Sequence, residues 1–265
     1  MITYGFIGVG NMGGAVAKAV IRACGAGSVR VSSRTPDKAR AFADAVGGTA
    51  ADNLTLAKTC DYLFLGVKPQ VLPGVLEELA PVLAARERPC VLVSMAAGIT
   101  IERIHSLTDG CPTVRIMPNT PVGIGSGLIL YTPDETVTPE QEETLVRALC
   151  GGGRVDRISE DKMDVASAVS GCGPAFVCQF LEGLADGGVA CGLPRDKAYA
   201  YGAQMLLGTA ALMLESGQHP GVMKDQVCSP GGSTIQGVRV LEERALRGAV
   251  MDAVIAAFEK NQALR

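Results

Sequence analysis

The stretch Gly5-Phe6-Ile7-Gly8-Val9-Gly10-Asn11-Met12-Gly13 constrains this chain more than any other. It sets G-x-G-x-x-G between an apolar strand, residues 2–7, and a helical run over 15–23. Gly8 permits a tight turn, and Gly10 lets a pyrophosphate approach the backbone. Gly13 lets the helix pack close to the strand, and the helix N-terminus faces the anion. Alone, the motif is a weak signal in a chain with 33 glycines. At the head of a β-α-β unit it becomes a strong one. A merely tight strand-to-helix turn ranks well behind it.

From residue 1 to 158 short apolar runs alternate with helical stretches. Strands are predicted over 2–7, 29–33, 62–67, 90–95, 113–117, 127–131 and 154–158. The segments between the first four are long enough for crossover helices, so the sheet there should be largely parallel. Thr35-Pro36 and Thr138-Pro139-Glu140 read as helix starts. Alternating strand and helix means an α/β layer fold. After Ser159-Glu160-Asp161-Lys162 the alternation stops. Long helices, broken by Gly and Pro, are predicted over 163–191, 195–215 and 235–262, and the domain boundary falls near residue 159.

Two domains also suit 265 residues at roughly 150 per domain. Hydrophobic residues at 48% and charged residues at 19% exclude an intrinsically disordered chain. The net charge of −3 gives no basic field for a nucleic-acid backbone or an anionic membrane. The absence of Trp, with 4% aromatics, argues against a base-stacking surface. The nine Cys include no C-x-x-C pair, and two His add little, so no metal site is expected. They read as buried reduced thiols in a reducing cytoplasm. The start lacks a basic signal segment, the first cation being Lys18, and a cytoplasmic location is expected. Residues 198–214, uncharged between Lys197 and Glu215, reach the lower limit of a membrane span but carry Tyr, Gly and Gln. They read as a helix buried between neighbours or between subunits.

The end of the second strand discriminates between cofactors. An NAD site would place an acid there for the ribose 2′-hydroxyl. This chain has Ser32-Ser33-Arg34-Thr35, with Lys38 one helical turn on. Two hydroxyls and two cations suit a 2′-phosphate. NADPH is therefore favoured, with NADH possible. Two further strands end in Lys68-Pro69-Gln70 and Ala96-Ala97-Gly98. In an open α/β sheet both ends should line the cofactor crevice, the small residues letting a nicotinamide lie against backbone.

A second anion site is expected near the C-terminus. Ser229-Pro230-Gly231-Gly232-Ser233-Thr234 opens directly into a helical run. Its free backbone N–H groups sit at the positive end of a helix dipole. With no Lys or Arg inside the loop, a small carboxylate suits it better than a polyphosphate. The plainer reading is that Ser233 or Thr234 simply caps the helix.

These residues together resemble the pyrroline-5-carboxylate reductase family over nearly the whole chain. The matching stretches are the 8–13 fingerprint, Val67-Lys68-Pro69-Gln70, Ala96-Ala97-Gly98 and Arg115-Ile116-Met117-Pro118-Asn119-Thr120-Pro121. They continue with Ser170-Gly171-Cys172-Gly173-Pro174-Ala175-Phe176, Ala185-Asp186-Gly187-Gly188 and residues 225–242. The resemblance implies a Rossmann-type doubly wound sheet over 1–158, binding NADP. An all-helical substrate-binding and dimerisation domain over 159–265 would follow. It implies reduction of pyrroline-5-carboxylate to proline by hydride transfer, and a homodimer, rings of dimers also occurring in the family. By motif position Gly8, Gly10, Asn11, Met12 and Gly13 would hold the pyrophosphate. Ser33 and Arg34 would select NADPH, with Asn53 near the adenosine. Val67, Lys68, Pro69 and Ala97 would border the nicotinamide, and Gln226 would contact the cofactor from the helical domain. Ser229, Gly231, Gly232, Ser233 and Thr234 would hold the substrate, with Glu160 at the site's edge. Gly14 and Ser233 depart from the family's usual residues, and neither removes a group the chemistry needs.

A protonated imine is already electrophilic, so the Thr234 hydroxyl suffices as the polar group near its nitrogen, and neither His105 nor His219 is required. A related hydroxyacid dehydrogenase should carry a Lys in the first long helix of the second domain, and residues 165–181 contain none. A non-catalytic NADPH sensor would have no use for the second anion loop.

Overall fold

A computed structural model describes residues 1–263. The elements follow in the order β1 (Tyr4–Ile7), α1 (Asn11–Cys24), β2 (Val29–Ser32), α2 (Pro36–Val46), β3 (Thr49–Ala50), α3 (Asn53–Thr59) and β4 (Tyr62–Leu65). Next come α4 (Leu72–Ala84), β5 (Val91–Ser94), α5 (Ile101–Thr108), β6 (Thr113–Pro118), β7 (Gly127–Pro133), α6 (Pro139–Leu149) and β8 (Gly153–Arg157). The remainder is helical: α7 (Met163–Ser170), α8 (Gly173–Ala190), α9 (Arg195–Ser216), α10 (Pro220–Gln226), α11 (Ser233–Glu243) and α12 (Leu246–Gln262).

The eight strands form one sheet in the order β3-β2-β1-β4-β5-β6-β7-β8. Every pairing is parallel except β6 with β7, joined without a crossover helix. Successive strand side chains point to opposite faces, and the residue types are sorted accordingly. Tyr4, Phe6, Tyr62 and Phe64 face a core shared with Val16 and Val20 of α1 and Leu145 and Leu149 of α6. Ile7, Leu63 and Leu65 face a second core with Leu76 and Leu79 of α4 and Ile104 of α5. Phe6 stacks on Phe64 at 4.3 Å between ring centroids. The doubly wound α/β reading is thus borne out.

Two compact units emerge: Met1–Gly171 with the end of α12 from Phe258, and Cys172–Ala257. The helical run over 163–191, expected to be broken by Gly and Pro, divides at Gly171-Cys172. The run over 235–262 starts earlier, at Ser233, and is interrupted at Ala245, whose φ of 55° is left-handed. In the second unit α9 packs along α8, and a Cβ on Gly202 would meet Leu181 at 2.6 Å. Of its apolar residues only Ala185 and Ala198 are fully buried. Tyr201, Leu207, Leu212 and Leu214 of α9 lie exposed in the single chain. The burial expected for 198–214 is therefore not supplied within the chain. An apolar groove of about 780 Å³ runs between Phe176, Phe180, Leu184, Leu241, Leu246 and Val250.

The cysteines divide. Cys60 and Cys90 are buried, and burial pushes the Cys90 thiol up to about 12. Cys24, Cys150, Cys178 and Cys191 are exposed in the single chain, which corrects the expectation that all nine are buried. Among the described residues no helix is long and apolar enough to cross a membrane.

Candidate active site

The glycine motif forms a cradle whose members have different reasons to be glycine. Gly8 has φ of 96°, and a Cβ there would lie 2.7 Å from the Gly66 carbonyl oxygen. A Cβ on Gly13 would lie 2.0 Å from the Gly8 oxygen, and one on Gly66 would lie 2.5 Å from it. These three let β1, β4 and α1 converge. Gly10 differs, since a Cβ there would meet no protein atom within 4 Å. It is the N-cap of α1, with no capping side chain and no acid in the first turn. Asn11 and Met12 follow as the first two helical residues. An uncapped helix start beside an unfilled glycine fits a pyrophosphate. Gly66 was not foreseen, although its place after an apolar strand is a readable signal.

Beyond the end of β2 lies a cleft of about 690 Å³ lined by Ser33, Arg34, Arg40, Ala51, Asp52 and Asn53, among others. Ser32 Oγ donates to Asn53 Oδ1 at 2.6 Å. Arg34 is exposed and makes no ion pair among the described residues, whereas Arg40 pairs with Asp37. Lys38 does not line the cleft, and Arg40 supplies the second cation instead. Asp52 is committed to capping α3, its carboxylate accepting from Thr55 N at 2.8 Å and Thr55 Oγ1 at 2.7 Å. These bonds hold it below the usual carboxylate range. The cleft thus offers uncommitted positive charge where a 2′-phosphate would need it.

Val67, Lys68 and Pro69 follow β4, and the Lys68 carbonyl accepts from Val71 N at 2.9 Å as α4 begins. Ala97 sits in the turn after β5, ahead of Gly98 at φ of 76°. That turn runs into α5, whose first amide, Ile101 N–H, donates to Glu160 Oε1 at 2.9 Å. The same oxygen accepts from Arg115 Nη1 at 2.9 Å. Glu160, expected at the site's edge, is therefore bound to the sheet and to the head of α5. Arg115 was quoted in the sequence only as part of a matching stretch. A cation inside the strand Thr-Val-Arg-Ile-Met was the available signal.

In the second unit the loop ahead of α11 is built without side-chain capping. Gly232 N donates to the Ser229 carbonyl at 3.0 Å, and Gly231 has φ of 72°. Gly232 is the N-cap, and among the described residues no side-chain hydrogen bond to the helix start is seen. Ser233 and Thr234 occupy the first two helical positions, exposed, so neither acts as the cap. Gln226 ends α10, also exposed. The histidines have structural partners: His219 Nδ1 accepts from Gly221 N at 3.0 Å, and His105 Nε2 lies 2.7 Å from Asp134 Oδ2.

Two family models match the chain. Residues 160–264 match "Pyrroline-5-carboxylate reductase dimerisation", and residues 3–98 match "NADP oxidoreductase coenzyme F420-dependent". The Escherichia coli K12 pyrroline-5-carboxylate reductase is 39% identical over 98% of this chain and 97% of its own. The Synechocystis enzyme of the same name is 42% identical over 80% and 78%. Among solved structures, the Coxiella burnetii pyrroline-5-carboxylate reductase superposes with a TM-score of 0.90 at 31% identity, covering 99% and 98%. The Plasmodium falciparum pyrroline carboxylate reductase with NADP bound gives 0.86 at 31% identity, with the same coverage.

Proposed function

The chain belongs to the pyrroline-5-carboxylate reductase family, and from that premise we propose how its residues share the reduction of L-1-pyrroline-5-carboxylate to L-proline. When bound, NADPH supplies the hydride for the imine carbon, and NADH can also serve. Gly8, Gly10, Asn11, Met12 and Gly13 hold the pyrophosphate through the head of α1. Ser33 and Arg34, assisted by Arg40, hold the 2′-phosphate, with Asn53 beside the adenosine. Val67, Lys68, Pro69 and Ala97 border the nicotinamide, and Gln226 reaches the cofactor from the helical domain.

Ser229, Gly231 and Ser233 present backbone N–H groups and hydroxyls to the substrate carboxylate and so fix the ring, while Gly232, whose N–H closes the loop on the Ser229 carbonyl, lines the same site. Thr234 places its hydroxyl at the ring nitrogen, where it stabilises the charge that changes during reduction. The observation supporting this reading is the glycine cap of α11, which leaves both hydroxyls free of structural duty. Assaying purified protein for NADPH oxidation with pyrroline-5-carboxylate, against small 2-hydroxyacids with NADP, tests it. Turnover of the imine alone is expected, and turnover of a hydroxyacid alone would overturn it.

The dimerisation domain makes the enzyme a homodimer. We place the functional division at residue 159, and expect dimers to associate further into rings, checked by native mass spectrometry. A cytoplasmic enzyme without a nucleic-acid partner suits the composition.

A further inference from the structure

The turn bearing Ala97 is gripped at both ends by one strand. At its entry Ser94, the last residue of β5, pairs with Arg115 of β6 across the sheet. At its exit Ile101 N–H is held by Glu160, and Glu160 is held by Arg115. The Arg115 side chain is 1% exposed, against 31% for Glu160. Its second Nη reaches Asp164 Oδ1 at 3.4 Å, while Nε is buried without a partner among the described residues. A buried guanidinium with an unsatisfied N–H is a poor device for stability alone, since apolar residues of similar volume often serve at least as well. What it does well is fix a planar fork in one orientation.

We infer that Arg115 is a positioning residue for the nicotinamide end of the cofactor, acting through Glu160 on residues 95–100. This rests on the reading that Ala97 borders the nicotinamide. Arg115 fixes the Glu160 carboxylate, the carboxylate fixes the Ile101 amide, and the amide fixes the exit of the turn. Glu160 then does its work on the backbone and not on the substrate.

The test uses the full-length dimer and two probes, NADPH and 2′-phospho-ADP-ribose, which lacks only the nicotinamide. Glu160→Ala should weaken NADPH about tenfold by calorimetric titration, as for one lost hydrogen bond to a charged group. Binding of 2′-phospho-ADP-ribose should stay within about twofold. Glu160→Gln keeps an acceptor for Ile101 and Arg115, and should restore NADPH binding to within about threefold. kcat should fall in the Ala variant while the KM for the imine holds. Equal weakening of both probes, or of neither, overturns the inference. So does a raised imine KM with unchanged NADPH binding, which would make Glu160 a substrate contact. Ala97→Met, which leaves the Arg115–Glu160 pair intact, checks the underlying reading. If it leaves NADPH binding unchanged, Ala97 does not border the nicotinamide. If it weakens NADPH while Glu160→Ala does not, only the inference about Arg115 fails.

Discussion

A Cβ on Gly13 would stand 2.0 Å from the carbonyl oxygen of Gly8, a distance no side chain can occupy. Gly10, three residues earlier, faces open space. Gly13→Ala should therefore destabilise the first unit by about 1–3 kcal/mol, the range for overpacking. Gly10→Ala should cost less, under about 1 kcal/mol, since its Cβ meets nothing and only the helix-cap preference of Gly over Ala is lost. It should still raise the KM for NADPH. Thermal melts beside cofactor titrations separate the two, and equal Tm losses would remove the argument for a ligand at Gly10.

Thr234→Ala should lower kcat/KM for the imine by roughly 10- to 1000-fold, the span from a modest hydrogen bond to a catalytic donor. Thr234→Ser should keep most activity. Because Gly232 caps α11, neither change should alter the melting temperature appreciably. Unchanged turnover in the Ala variant would leave the loop amides to orient the substrate alone.

Arg34→Ala should raise the KM for NADPH about tenfold and leave that for NADH nearly unchanged, as one charged phosphate contact is lost. Arg40→Ala should do less, since that guanidinium is shared with Asp37. Steady-state kinetics with both cofactors decides it. Parallel changes for NADPH and NADH would remove Arg34 from the phosphate site.

Leu207, 63% exposed in the single chain, sits on a helix with little polar cover. Leu207→Asp should yield monomers or aggregates without activity, because a charge would be forced into the dimer contact. Sedimentation velocity reads the outcome. An active dimer would place α9 outside the interface.

Asp134 gives the pH dependence of stability. Burial, the strongest single influence, would raise its pKa, but bonds from Thr136, His105 and the Thr113 amide together outweigh it and lower it. A carboxyl lowered in the folded state stabilises above its ordinary pKa, about 3.9, and that contribution is lost as pH falls through the folded value. Asp134→Asn should be less stable than the unmutated protein at pH 7, with the gap closing below about pH 4. Chemical denaturation across that range checks it, and a gap independent of pH would remove the charge from the account.

What the sequence made legible was whatever rests on local chemistry. The glycine motif, the apolar strands and the Thr138 start all had near-neighbour signals, and Thr138 forms a full capping box with Gln141. Thr35 heads α2 as expected, yet its side chain makes no capping bond. The two-residue β3 left no alternating pattern to read. The break at Gly171-Cys172 had a local signal, since Gly171, Gly173 and Pro174 cluster where α7 ends and α8 begins. Arg115 was quoted without a role, because its partners lie 45 and 49 residues away and no local pattern links them.

The glycine cap of α11 has a consequence for how such an enzyme can change. Where a Ser or Thr hydroxyl caps a helix, as Thr100 and Thr138 do here, replacing it costs about 1 kcal/mol. At α11 the turn is closed by main-chain atoms alone. Positions 233 and 234 can therefore be varied for the shape of the molecule they meet, with folding left out of the bargain. Selection for a new ring size or ring substituent could act at two adjacent codons without a compensating change elsewhere.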